Sequence, residues 1–550
     1  MKNKIQEYWS YAAAVVAIVL PLFLKSGYLF FTDFVLGPHI ALDWTSQSFL
    51  LDLAFKGASF IFSVDLVEKF FITLCLGLAL WGGKKIAEQF IKEKWLIFVA
   101  SLFALFNPFV YDRAMYGQFG VIAALGLLLL GIGFLLEYAE KKQQRQIIFA
   151  GLSFAFAVQL ASQFLFFIAV FYICVFLPIL FFGTREAMSC VKKVIIDAIK
   201  ISALLALIAL ALNANWIVGA ATGKSATGDF ITNGITAQDL VAFQTSGRMG
   251  GDALENVLMM SGFWGKDQFR YADLTKFTSD WGRSFFLLLP LMLWGFAAAV
   301  RSKEKKYRCL AIGLALLFTI SVILAAGIRI PVGREMTYFL FNHFPLYKGL
   351  RETQKWVGVT VAVYLVFLSL GLRELFATKI VQRNAFIMKL FIGAVIVMQA
   401  PLLLFGFSGQ VTPTRYPSDW YAVNDAIIRD SGCSGEVLFL PWHMYMSFSW
   451  IGGIVATPAP AFFQCPVISG TDMEWGGIYD NSQSPQGEEV LEWLKSEGQS
   501  DTLLNDKALD IKYIVLAKEL DWQNYLWIDT LPKVTLFQDT ATLKVYKINE

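Results

Sequence analysis

A succession of hydrophobic runs, each long enough to cross a bilayer, most limits what this chain can fold into. A helix needs about 17 to 25 predominantly apolar residues to span the hydrocarbon. Reading such runs along the sequence gives about eleven, at residues 9–25, 65–82, 95–111, 119–137, 147–162, 164–182, 195–219, 284–300, 309–327, 356–374 and 386–407. The fifth and sixth also read as one hairpin broken at Ser162-Gln163. Composition agrees, because 56% of the 550 residues are apolar and only 16% are charged, against roughly 25% charged in soluble domains. The expected fold class is a polytopic α-helical membrane protein.

Basic residues test the order of the runs, since short cytoplasmic loops hold an excess of Lys and Arg. They recur at every second loop: Lys2 and Lys4; Lys84, Lys85, Lys92 and Lys94; Lys141, Lys142 and Arg145; Arg185, Lys192 and Lys193; Arg301, Lys303, Lys305, Lys306 and Arg308; Arg373, Lys379 and Arg383. This alternation puts the N-terminus inside and the C-terminal region outside a plasma (cytoplasmic) membrane. The first run, from Tyr11 to Leu24, is followed by no small-residue cleavage pattern at Leu24 to Gly27 and reads as an uncleaved anchor. The net charge of +3, scattered through short loops, gives no footprint for nucleic acid. The expected partners are membrane lipids.

After Gly406 the composition shifts toward Pro, Ser, Asp and Gly. Residues 419–429 have helical periodicity, 436–440 and 511–516 read as buried strands, 487–504 as a helix, and 534–537 with 542–548 as a hairpin. The domain boundaries are therefore set at 1–407 for the membrane region and 408–550 for an extracytoplasmic α/β domain. Cys433 and Cys465 are the two cysteines of that second domain, and Cys75, Cys174, Cys190 and Cys309 lie in or beside hydrophobic runs. Outside the cytoplasm the pair reads as a disulfide, or else as two buried thiols.

On this topology the outer segments are the loops 26–64, 220–283 and 328–355, the turn 112–118 and the C-terminal domain, and the unusual polar chemistry collects there. Asp33 follows the first run among Phe30, Phe31, Phe34 and Val35, with His39 and Asp43 beyond it and an apolar, interface-like stretch at 49–62. An ionisable group at a bilayer boundary is costly and points to function. Asp33 reads either as a base sharpened by partial desolvation or as a helix cap or cation partner. The loop 328–355 holds Arg329, Arg334, His343, Lys348, Arg351 and Lys355 against Glu335 and Glu352. If helical, its Lys348, Arg351 and Lys355 share one face. They suit a phosphate, which Arg grips with two parallel bonds, or a lipid headgroup without chemistry, or internal pairing with Glu352. The turn Asn107-Pro-Phe-Val-Tyr-Asp112-Arg113 offers a second acidic group or a structural staple in which Asp112 pairs with Arg113. Asn213, Asn215, Trp216, Asp229, Asp239, Asp252 and Glu255 are less specific acceptor-side groups. The three His lack metal-ligand spacing, and nucleotide-binding signatures are absent.

An acidic residue in the first outer loop, an interfacial stretch behind it, about eleven runs, a late basic outer loop and an external domain together resemble the GT-C superfamily, integral-membrane glycosyltransferases that use polyprenyl-phosphate sugars. The Asn-Pro-Phe-Val-Tyr-Asp-Arg turn and the segment Tyr347 to Trp356 are similar to the membrane region of bacterial arabinofuranosyltransferases. The resemblance covers about residues 1–360. It implies transfer from a polyprenyl-phosphate donor to an extracytoplasmic glycan, lipid or protein acceptor, with inversion. It makes Asp33 the catalytic base and Lys348, Arg351 and Lys355 the donor-phosphate site, supported by Asp43, His39, Asp112, Arg113 and His343. Asp33 and Asp43 stand ten apart rather than as a paired acidic motif, which leaves a divalent metal, Mg or Mn, open and no cofactor certain. The rival readings are a transporter or flippase of lipid-linked glycans, and an envelope scaffold. Few charged or Gly/Pro-broken sites lie mid-span to favour transport.

Overall fold

Helix occupies all eleven intervals in the computed structural model. It describes residues 2–183, 191–222, 235–247, 253–268, 270–274, 284–471, 473–475, 478–480, 485–499, 502–505 and 509–549. Arg185, Cys190, Asp229 and Asp252 lie outside these. Among the described residues, five helices are long and apolar enough to cross a membrane: Phe119–Lys141, Phe164–Phe182, Lys192–Ala221, Lys305–Arg329 and Thr353–Ala377. The number rises to seven if two bent pairs, Lys94–Leu105 with Pro108–Tyr116 and Ala385–Val397 with Pro401–Ser408, each count as one span. Eleven crossings are thus not confirmed. The shortfall has physical causes. Tyr8–Phe23 and Phe285–Val300 are shorter than a span, and Val64–Ala87 carries Asp65, Glu68, Lys69, Lys84 and Lys85.

The chain divides into two compact units. The first comprises Met1–Leu20, Asp43–Leu51 and Phe71–Gln410; the second comprises Pro21–Leu42, Asp52–Phe70 and Val411–Glu550.

In the first unit, Phe119–Lys141 and Thr353–Ala377 form the middle, with 83% and 94% of their apolar windows buried, whereas Lys192–Ala221 has only 17% buried. An apolar helix that hides so little of itself needs a hydrocarbon surround. Close packing depends on small residues. A Cβ on Gly295 would meet Phe367 O at 2.0 Å, and one on Gly371 would meet Leu291 O at 1.9 Å, so Phe285–Val300 and Val357–Ala377 cross backbone to backbone. At one end of this bundle the expected inner loops meet. Glu137 pairs with Lys85 at 2.5 Å and Lys141 at 2.7 Å, and Glu140 with Lys306 at 3.2 Å. The expected outer loops are tied to helices of the bundle: Asn215 donates to Ser46 O at 2.8 Å, Gln47 to Val158 O at 3.0 Å, and Thr245 to Ala325 O at 2.5 Å.

The second unit holds a five-stranded sheet in the order Val467–Ile468, Glu436–Leu440, Ile511–Ala517, Leu543–Ile548, Val534–Asp539. The first three strands are parallel and the last two antiparallel to their neighbours. Successive strand residues face opposite sides, and here both sides are buried. Val437, Phe439, Tyr513 and Val515 join a core with Trp420 and Ile427 of helix Ser418–Ser431. Leu438, Leu440, Ile514 and Leu516 join another with Val490 and Trp493 of helix Pro485–Lys495. The small hairpin Tyr445–Ser447 with Ile454–Ala456 was not legible in the sequence, its strands being three residues each. Cys433 and Cys465 are joined by a disulfide, with Cα atoms 4.9 Å apart.

Candidate functional site

The described residues singled out by sequence divide between the two units, and a cluster in each holds some of them. The cluster of the first unit is built on the Asn107-Pro108 turn. Asn107 caps the helix Pro108–Tyr116 by accepting from Val110 N at 3.0 Å, and Pro108 at the first helical position lacks only an N–H that would be orphaned anyway. Gly117, at φ 88°, ends the helix after three turns or fewer, in a left-handed conformation that a side chain would strain. This short helix delivers Arg113, fully buried, into the protein.

Arg113 does not pair with Asp112. Its Nη1 donates to Glu352 Oε2 and to Gln118 Oε1, both at 2.5 Å, its Nη2 donates to Gln354 Oε1, and its guanidinium lies 4.3 Å from the centre of the Phe263 ring. Glu352 is 8% exposed and also accepts from Lys355 Nζ at 2.9 Å and Trp264 Nε1 at 3.2 Å. Burial opposes the ionised form of Glu352, but Lys355 and Arg113 outweigh it and hold the carboxyl well below the usual range. Neighbouring residues in a helix point about 100° apart, so Asp112 faces elsewhere and accepts from Tyr271 Oη at 3.0 Å.

The basic segment is not a continuous helix. Two 3₁₀ turns, Pro345–Leu350 and Thr353–Trp356, are separated at Arg351-Glu352, where the chain turns Glu352 toward Arg113. The expected single face of Lys348, Arg351 and Lys355 is therefore replaced by separate settings. Arg351 pairs with Asp239 at 2.6 Å and stacks 4.5 Å from the Phe243 ring centre, Lys355 pairs with Glu352, and Lys348 lies 5.8 Å from the Phe341 ring centre. His343 ends the helix Pro331–His343, exposed and stacked on Phe339 at 4.5 Å. Asp43 accepts from Thr45 N and Oγ1, both at 2.8 Å, and so closes a local turn. Asn213 and Asn215 are structural ties. Asn213 donates to Ala155 O and Ala209 O and accepts from Trp216 Nε1.

A cavity of about 420 Å³ lies between Phe285–Val300, Lys305–Ala326 and Val357–Ala377, lined by Met292, Phe296, Ala315, Phe318 and Phe367 among others, with Glu255 the carboxylate in its lining. Its size is in the range of ligand pockets, roughly 300 to 1,000 Å³, and its walls are hydrocarbon.

Asp33 and His39 belong to the second unit. Asp33 is exposed on an otherwise well-buried strap, Phe30, Phe31 and Thr32 being 9%, 2% and 5% exposed. The strap is held to the α/β domain. Tyr28 and Thr414 exchange backbone bonds at 2.8 and 2.9 Å, Ala456 N donates to Thr32 O at 2.8 Å, and Tyr416 Oη donates to Leu36 O at 2.9 Å. Tyr445 Oη donates to Asp33 Oδ1 at 2.8 Å. Sequence reading missed Tyr445, which lies 412 residues away with no local pattern to mark it. His39 N donates to Ala461 O at 3.1 Å, and burial, then Lys56, pulls its imidazole below the ordinary pKa. Among the described residues no three His, Cys, Asp or Glu side chains group so as to hold a metal ion.

No protein-family model matches the sequence, and no curated protein matches it. Solved structures do. The cryo-EM structure of the arabinofuranosyltransferase AftD from Mycobacteria aligns over 98% of this chain with a TM-score of 0.60 at 15% identity. A mutant form of AftD aligns over 99% with a TM-score of 0.59 at 13% identity. This chain spans 40% and 42% of those two chains, about two fifths of their length. The likeness shows the fold alone: this chain shares the fold of the AftD structures over nearly all of its length.

Proposed function

We propose that this protein is a multi-pass membrane glycosyltransferase that moves a sugar from a polyprenyl-phosphate donor to an acceptor hydroxyl on the extracytoplasmic side. The observation that carries the reading is the fold shared with AftD over 98% of this chain. In the reaction the acceptor oxygen forms a bond to the anomeric carbon while the bond from that carbon to the phosphate oxygen breaks. The acceptor proton passes to the Asp33 carboxylate and polyprenyl phosphate leaves, so a single displacement inverts the anomeric centre. The phosphate is already a good leaving group, so a base for the acceptor hydroxyl and cations for the phosphate are sufficient. Arg351, Lys355 and Lys348 are the cations for that role, with Asp239 and Glu352 holding the first two in place before the donor arrives. The apolar cavity suits part of a carrier chain. The acceptor is a cell-surface glycan, glycolipid or protein, and the membrane is the cytoplasmic membrane with the N-terminus inside.

The test is transfer by the full-length protein in nanodiscs supplied with polyprenyl-phosphate sugars, read as release of polyprenyl phosphate. Asp33→Asn is expected to lower kcat by about 10²- to 10⁴-fold, the usual contribution of a general base, with lipid binding retained. Arg351→Ala is expected to raise the donor KM. Full activity in Asp33→Asn would remove the base assignment.

A further inference from the structure

The hairpin Tyr445–Ser447 with Ile454–Ala456 does more than pack against the sheet. Met446 and Val455 face each other in register and are buried at 0% and 1% exposure, which turns the adjacent pair Tyr445 and Ala456 to the opposite side. That facing pair reaches two consecutive residues of the strap. Ala456 N donates to Thr32 O at 2.8 Å, and Tyr445 Oη donates to Asp33 Oδ1 at 2.8 Å. A third bond comes from Thr32 Oγ1 to Ile454 O at 3.2 Å. The hairpin therefore holds the backbone before Asp33 from one strand and its carboxylate from the other. Phe30 locks the strap from beneath, 5.2 Å from the ring centres of both Tyr416 and Trp450.

We propose that Tyr445 is a positioning residue for Asp33, and that the C-terminal α/β domain thereby aims the base of the transfer reaction. The inference rests on the reading of Asp33 as that base. A base that must meet the acceptor proton at hydrogen-bond distance works only in the correct rotamer, and Tyr445 contributes to fixing that of Asp33. A hydrogen bond to one carboxylate oxygen restricts that rotation. Tyr445 does not touch substrate in this scheme; it acts through Asp33.

The test compares Tyr445→Phe, Asp33→Asn and the double variant in the full-length protein in nanodiscs. Tyr445→Phe removes one oxygen and keeps the ring, so folding is expected to be unchanged in a melting curve. Its kcat is expected to fall about tenfold, the value of one hydrogen bond to a charged group, with the donor KM within about twofold of wild type. The double variant is expected to match Asp33→Asn, because in this scheme Tyr445 acts through Asp33. A Tyr445→Phe enzyme with wild-type kcat, or a double variant well below Asp33→Asn, overturns the proposal. Hydrogen exchange at Phe31 and Ala456 separates the two failures. If the wild type transfers no sugar, the functional reading falls; faster exchange in Tyr445→Phe then still supports the clamp, and unchanged exchange overturns it.

Discussion

Glu352 shows how one carboxylate organises a site. It faces Arg113, Lys355 and Trp264 at once, and a guanidinium buried as fully as that of Arg113 is tolerable only beside such a partner. Removing the partner is worse than never having had the pair. Glu352→Gln is expected to lower stability by about 3 to 5 kcal/mol, the cost of an uncompensated buried charge, seen as a lower melting temperature in detergent. The acid limb gives a second check. The folded-state pKa of Glu352 is depressed, so its stabilisation is present above the unfolded value near 4.3 and is lost as pH falls through that value toward the folded one. Wild type should therefore lose stability below about pH 4.3 more steeply than Glu352→Gln. Sequence reading noted Glu352 as a partner for the basic loop. That it reaches back 239 residues to Arg113 was not legible, because an ion pair at that separation leaves no spacing pattern.

At the scale of elements, helices were read well and their lengths less well. Apolar runs mark where backbone groups must be satisfied internally, so helix appears in every expected interval. Whether a run crosses depends on length, flanking charge and bends, and the bends are local. Asn107-Pro108 breaks one helix by 49°, and Pro401 begins the second half of a pair bent by 76°. The crossing of Phe285–Val300 with Val357–Ala377 depends on Gly295 and Gly371. Gly371→Leu is expected to force these helices apart at a cost of about 1 to 3 kcal/mol or more, with lower thermal stability and a lower yield of folded protein from membranes.

For the whole molecule, the reading with the most reach is that the basic loops share one end of the bundle. Lys85, Lys141 and Lys306 are drawn together through Glu137 and Glu140, as expected if all face one aqueous phase. Single cysteines at Lys303 and Ser48 test the orientation. In intact cells, an impermeant thiol reagent is expected to label Ser48→Cys and not Lys303→Cys; the reverse pattern would invert the topology. The sequence by itself determined the solvent this protein folds in, the positions of its helices, the longer strands of the α/β domain and the residues worth asking about, because hydropathy, period and charge are local properties of a chain. Tertiary structure decided the partners: Arg113 with Glu352 rather than Asp112, Arg351 with Asp239, and Asp33 with Tyr445. Side chains hundreds of residues apart meet only when the chain has folded, and their pairing reflects shape and burial that no window of sequence contains.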